Sequence, residues 1–213
     1  MHLSGPDIEQ MERFKRANLI NSMTGIKPAN LVATRSEDGF PNVGIFSSVV
    51  HLGSDPAVIG FVMRPQDEKP RDTYLNIKST GFYTINHVPT GMVEHAHFTS
   101  ARFPKEQSEF EYCGFEEEYV EDFHAPFVKE SPLKFALEWV DEIPIKVNKT
   151  LLMIGKVQHL IFPDEAMSET GQLNLETLGS AGISGLDSYY DLHKIGQFPY
   201  AHLKDVPDKL KRG

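Results

Sequence analysis

The segment from Pro41 to Ile77, PNVGIFSSVVHLGSDPAVIGFVMRPQDEKPRDTYLNI, constrains the fold of this chain more than any other. Two apolar runs flank a turn at Gly53-Ser54-Asp55-Pro56, and a short helical pattern begins near Arg71. Side chains alternate across a strand, so Val43, Ile45, Ser47 and Val49 share one face and Gly44, Phe46, Ser48 and Val50 the other. Neither face is polar enough for water, so a strand over 43–50 must be covered on both sides. The adjacent hydroxyls of Ser47 and Ser48 interrupt the apolar run. A buried hydroxyl needs a partner, and a ligand rich in acceptors would supply one. A strand buried on both faces also leads us to expect a homodimer, with Phe46 or its neighbours near the second subunit.

The remaining composition narrows the classes open to the chain. Its 213 residues, 40% of them hydrophobic, are enough for one domain over 1–213 with a real core. A formal charge of −9 argues against nucleic acid and anionic membrane, both of which call for a basic stripe. The opening MHLSGPDIEQ lacks the basic and apolar regions of a signal peptide, and no run reaches the length of a membrane span. The lone Cys113 excludes an internal disulfide framework, fits a reducing compartment and is expected to be an inert, partly buried thiol. These features together predict a cytoplasmic protein.

In chain order, Ser4 or Asp7 is expected to cap a helix over 4–17, with Pro6 in its first turn and Ile8, Met11 and Phe14 as its stripe. NLINSMTG, residues 18–25, breaks that pattern. Strands are predicted at 29–34, 43–50, 57–63, 82–88, 133–140 and 151–162, the first two joined by the Glu37-Asp38-Gly39 turn. Short helices are predicted at 72–78 and 92–101. Residues 102–131 read as irregular and acidic, with Glu116-Glu117-Glu118 as a solvated run. The tail after Pro163 is rich in Gly, Ser and Asp. Short strands at this density, joined by a few helices, predict a mainly β closed barrel with helical insertions.

Four blocks carry a family resemblance: KPANLVATRSEDGFPNVGIFSSVVHLGSDPAVIGF, RDTYLNI, FYTINHV and SEFEYCG. In this order and spacing, over about 27–160, the chain resembles the flavin reductase-like family of FMN-binding split barrels. The resemblance implies a six-stranded Greek-key barrel, here about 27–162 with an extension over 163–213. It implies a dimer with one FMN at each end of the subunit interface. Members of the family include NAD(P)H:flavin oxidoreductases and electron-carrying flavoproteins.

The residues agree with what FMN needs. Arg64, Lys69, Arg71 and Thr73 fall within ten residues, and the first amides of the 72–78 helix add a favourable dipole, although Asp67, Glu68 and Asp72 offset the positive charge. The resemblance assigns Arg64, Thr73 and Arg71 to the phosphate. The strand carrying Asn42, Phe46, Ser47, Ser48 and Val49 offers an apolar slot with amide donors for the ring. The resemblance also brings His97 near the flavin. His87, His95 and His97 lack the spacing of a zinc site. GSAGISG, residues 179–185, has the wrong glycine spacing for a dinucleotide fingerprint and is expected to be a flexible loop. Ser47, Ser48 and Ser100 lack a nucleophile elbow. The expected reaction is hydride transfer from NADH or NADPH to FMN, with no side chain needed as acid or base and hence no catalytic residue named. The alternative is a carrier that holds FMN and does not react with NAD(P)H. A downstream electron acceptor or oxygenase would be its partner.

Overall fold

A computed structural model describes residues 1–66, 69–207 and 210. The chain starts with two helices, α1 (Gly5–Gln10) and α2 (Arg13–Met23). Ser4 caps α1 in a reciprocal box: its backbone N–H donates to Asp7 Oδ2 at 2.8 Å and its Oγ accepts from Asp7 N at 3.4 Å. The expected single helix over 4–17 is interrupted at Met11, because the Glu12 carboxylate caps a new helix by accepting from Phe14 N (3.0 Å) and Lys15 N (2.9 Å). That helix runs through the segment expected to break it. Asn21 Nδ2 donates to Ala17 O (2.7 Å) and Ser22 Oγ to Asn18 O (2.8 Å), so these polar side chains lean on their own helix. Phe14 is 72% exposed, so the apolar stripe does not face the core.

The next elements are β1 (Lys27–Pro28), β2 (Asn30–Arg35), β3 (Pro41–Phe46), β4 (Val50–Ser54), β5 (Ala57–Met63), α3 (Asp72–Thr80), β6 (Phe82–His87) and α4 (Val93–Phe98). They are followed by α5 (Glu109–Tyr112), β7 (Glu117–Glu118), β8 (Phe127–Val128), β9 (Lys134–Ile145), β10 (Thr150–Ile161), β11 (Gly182–Ser184) and β12 (Ser188–Tyr190). One antiparallel sheet has the order β3-β2-β6-β9-β10-β5-β4. Its two edge strands, β3 and β4, are consecutive in sequence. The expected strand over 43–50 is therefore two strands, and six predicted strands become seven.

The break falls at Ser47–Val49, where the chain leaves one edge of the sheet and joins the other. Ser48 makes the junction: its Oγ accepts from Val62 N at 3.0 Å and donates to Val62 O at 3.1 Å. A side chain thus takes the place of a ladder pair, which a hydrophobic pattern cannot register. Burial of both faces holds only in part, since β3 is mostly half-buried and β4 mostly exposed.

The alternation of β2 feeds two cores. Val32 packs with Phe61, Tyr83, Ile85, Leu137 and Met153, where Phe61 meets Phe46 and Tyr83 edge-on. Leu31 and Ala33 pack on the other side with Val43, Ala96, Phe110 and Val128. Gly155 lies at a register shift in β10, where a Cβ would sit 2.2 Å from Tyr83 Oη. The acidic run is not wholly solvated: Glu118 pairs with the buried Lys134, and Glu116 with Lys129. Residues 182–184 of the expected flexible loop form β11, which pairs with β1 on one side and β12 on the other.

Candidate functional site

A cleft of about 460 Å³ opens where β3, the 47–48 bend and the end of β5 face the start of α3 and the residues after α4. The sequence places each wall for a physical reason. β3 brings Asn42 and Phe46, the bend brings Ser47 and Ser48, and Arg64 follows the last residue of β5.

Thr73 sits in the first turn of α3 and is 5% exposed. Asn42 Nδ2 donates to Thr73 Oγ1 at 3.0 Å and to Thr34 Oγ1 at 3.2 Å, and Asn76 Nδ2 donates to Thr34 Oγ1 at 3.0 Å. This amide–hydroxyl chain fastens the start of α3 to the β2–β3 hairpin. Arg71, the N-cap residue, has extended backbone and gives no side-chain cap. No side chain caps the first amides of α3, and Arg71, Asp72 and Thr73 line the cleft, where the helix dipole favours an anion.

Arg64, Lys69, Arg71 and Arg102 all line the cleft. Among the described residues, none of the three guanidiniums has an ion-pair or side-chain hydrogen-bond partner. Burial lowers the Arg71 pKa below its ordinary value, and the like charges of Arg102 and Arg64 lower it further, while Asp72 and Glu109 oppose them. Glu109 is 9% exposed, and its Oε2 accepts from Val43 N at 3.3 Å. Burial pushes its carboxyl above the usual range, and the backbone N–H groups of Glu109 and Val43 and, less strongly, Arg71 pull it back in part.

The cleft gathers Asn42, Phe46, Ser47, Ser48, Arg64, Arg71 and Thr73 from the sequence-predicted set. Val49 is outside it and packs against the core around Phe61. His97 is also outside: its Nδ1 lies 3.1 Å from Tyr189 Oη, with the two rings edge to face. His87 Nδ1 meets Ser180 Oγ at 3.1 Å, and His95 Nδ1 meets the Cys113 carbonyl at 2.7 Å. The three histidines are thus held by separate partners. Arg102 and Glu109 escaped sequence reasoning because both fall in the segment read as irregular and acidic. A single Arg just after a helix, followed by Ser108 capping a second short helix, was the available signal.

A family model described as "Flavin reductase like domain" matches residues 25–177. A crystal structure from Shewanella frigidimarina NCIMB 400, assigned as a flavin reductase with a split barrel domain, is 44% identical with a TM-score of 0.90, covering 94% of this chain and 100% of that one. The flavoredoxin of Desulfovibrio vulgaris (Miyazaki F) shares the fold at 21% identity and a TM-score of 0.69, over 84% of this chain and 92% of its own. An uncharacterised protein of Halalkalibacterium halodurans is 31% identical over 168 residues, 76% of this chain and 80% of the relative.

Proposed function

Because the chain belongs to the flavin reductase-like family, we propose that its cleft binds FMN and that the protein passes hydride from NADH or NADPH to that flavin. The observation that carries this is the uncapped start of α3 beside three guanidiniums that are unpaired among the described residues, at one side of a cleft whose β3 wall is largely apolar. A phosphate monoester would satisfy the open amides and accept paired hydrogen bonds from Arg64 and Arg71. Asn42 holds the Thr73 hydroxyl in the first turn of α3, from where it would bind such a group. Phe46 and Ile45 give an apolar surface for a flat ring, and the Ser47–Ser48 bend gives hydroxyl and amide groups at its edge.

A bound flavin supplies the hydride-accepting ring. The chain's residues bind the phosphate, orient the ring and keep water from one of its faces. None is required to move a proton in hydride transfer. Anaerobic mixing of the FMN-loaded protein with NADH and then NADPH tests the proposal: loss of the visible flavin absorbance with one of them is expected. A flavin that stays oxidised with both would favour the second function, an electron carrier, which the likeness to a flavoredoxin fold supports.

The protein would work as a homodimer in the cytoplasm, handing electrons to an acceptor or partner oxygenase. The dimer now finds its support outside β3. Val50 and Leu52 on the edge strand β4, and Val140 and Ile143 on β9, are apolar and exposed. Among the described residues no helix is long and apolar enough to cross a membrane.

A further inference from the structure

Two residues that line the cleft, Asn21 and Leu186, lie outside the 25–177 segment matched by the family. Asn21 belongs to α2, near the start of the chain, and Leu186 to the turn between β11 and β12, near its end. The structure binds these remote segments into one unit. Lys27 Nζ donates to Asn21 O at 3.0 Å and to Thr24 Oγ1 at 2.9 Å, which fixes the end of α2 to β1. β1 then pairs with β11 through Lys27↔Ile183 and Pro28↔Gly182. Gly182 is needed at that point, because a Cβ would lie 2.5 Å from Ile26 Cγ2 and 3.1 Å from Leu192 Cδ2. At the turn, a Cβ on Gly185 would reach Ser22 Cβ at 4.0 Å, so the hairpin tip rests on α2. The far strand is held by Tyr189, whose Oη meets His97 Nδ1 at 3.1 Å. His97 thus fastens α4 to the hairpin.

The chemistry presented at the cleft is specific. Leu186 is 46% exposed, so its apolar side chain stands at the mouth, where a ligand would remove it from water. Asn21 Nδ2 is committed to Ala17 O at 2.7 Å, while its Oδ1 has no hydrogen bond among the described residues. A free acceptor beside an apolar surface matches a flat ring that carries an amide N–H donor. We propose that Asn21 and Leu186 form the subsite for the nicotinamide ring of the electron donor, Leu186 packing on the ring and Asn21 Oδ1 accepting from its carboxamide. This subsite rests on the flavin function proposed above. The extension after residue 177 is then a part of the site, and the β11–β12 hairpin sets which second substrate enters.

The test uses binding alone. The full-length protein is loaded with FMN and titrated with NAD⁺ or NADP⁺, whichever perturbs the visible flavin spectrum, and with the matching 3-acetylpyridine analogue, whose acetyl group has no N–H. Wild type should prefer the carboxamide coenzyme by about 3–10-fold, the worth of one neutral hydrogen bond. Asn21→Leu should abolish the preference with FMN affinity unchanged, and Asn21→Asp, which keeps an acceptor oxygen, should retain it. Leu186→Ala should weaken both coenzymes about equally. Circular dichroism checks that each variant is folded, and if Asn21→Leu is not, Leu186→Ala and Asn21→Asp still decide. No preference in wild type, no spectral response to either coenzyme, or losses shared equally by FMN would overturn the subsite while leaving FMN binding in place. Failure of wild type to take up FMN would overturn both proposals.

Discussion

Arg71 stands between two like charges, Arg64 and Arg102, with its own side chain unpartnered among the described residues. Asp72 and Glu109 offset that repulsion only in part, so a bound anion would gain from each guanidinium. Hydrogen bonds to charged groups contribute roughly 1.5–3 kcal/mol. Arg71→Ala and Arg64→Ala should each lose on the order of 10–100-fold in FMN affinity, at about 1.4 kcal/mol per decade. Riboflavin, which has no phosphate, should bind wild type and variants alike, and fluorescence titration of both ligands reads the contrast. Equal losses for the two flavins would show general damage to the pocket. At the same scale, burial holds the His87 pKa down at about 4, against 6.5 in an unfolded chain. The folded state favours the neutral ring, so this contribution to stability is complete above pH 6.5 and is lost as pH falls toward 4. At 1.36 kcal/mol per pH unit it amounts to about 3 kcal/mol at most. His87→Gln should flatten that acid limb, as followed by urea melts between pH 7 and pH 4. An acid limb of wild-type slope in the variant would show that His87 is not its source.

At the scale of elements, the junction of β3 and β4 depends on one hydroxyl. Ser48→Ala leaves both Val62 N–H and Val62 C=O without their partner, and leaving such groups unpaired costs about 1–3 kcal/mol. The melting temperature should fall by roughly 2–4 °C per kcal/mol for a chain of this size, and FMN affinity should weaken because the bend borders the cleft. Ser48→Thr, which keeps the hydroxyl, should recover most of the stability. A melting curve for the alanine variant that overlays wild type would sink the junction role. Gly155, on the strand that pairs with β5, tests the packing of the core. A Cβ there meets Tyr83 Oη at 2.2 Å and Leu137 Cβ at 3.0 Å, both on fully buried residues. Overpacking of this kind costs about 1–3 kcal/mol, so Gly155→Ala should melt earlier than wild type, with flavin affinity falling only as far as the barrel is distorted.

At the scale of the whole molecule, β4 and the protruding β9–β10 hairpin leave Val50, Leu52, Val140, Ile143 and Val147 exposed, Leu52 by 42% and Val147 by 91%. An apolar edge strand invites pairing with another copy. Sedimentation should find a dimer. Leu52→Glu, which places a charge on this surface, should shift it toward monomer with the fold retained. A wild-type monomer that still binds FMN would remove the dimer from the proposed function.

The sequence by itself determined the local elements. Apolar runs over 29–34, 82–88 and 151–162 marked strands, the Glu37-Asp38-Gly39 turn marked a hairpin, and Asp72 and Thr73 marked the start of a helix. These depend on contacts between near neighbours in the chain, which periodicity and turn chemistry encode. The cationic side of the cleft was legible for the same reason: Arg64, Arg71 and Thr73 lie close together in sequence. Tertiary structure alone decided that 43–50 is split between opposite edges of the sheet, since a Ser48 hydroxyl paired to Val62 leaves no trace in a hydrophobic pattern. It alone brought Arg102 beside Arg71, joined Asn21 to Leu186 across most of the chain, and moved His97 from the ligand to a hairpin anchor. Each of these brings together residues far apart in sequence, and only the packing of the strands, helices and hairpin against one another makes them neighbours.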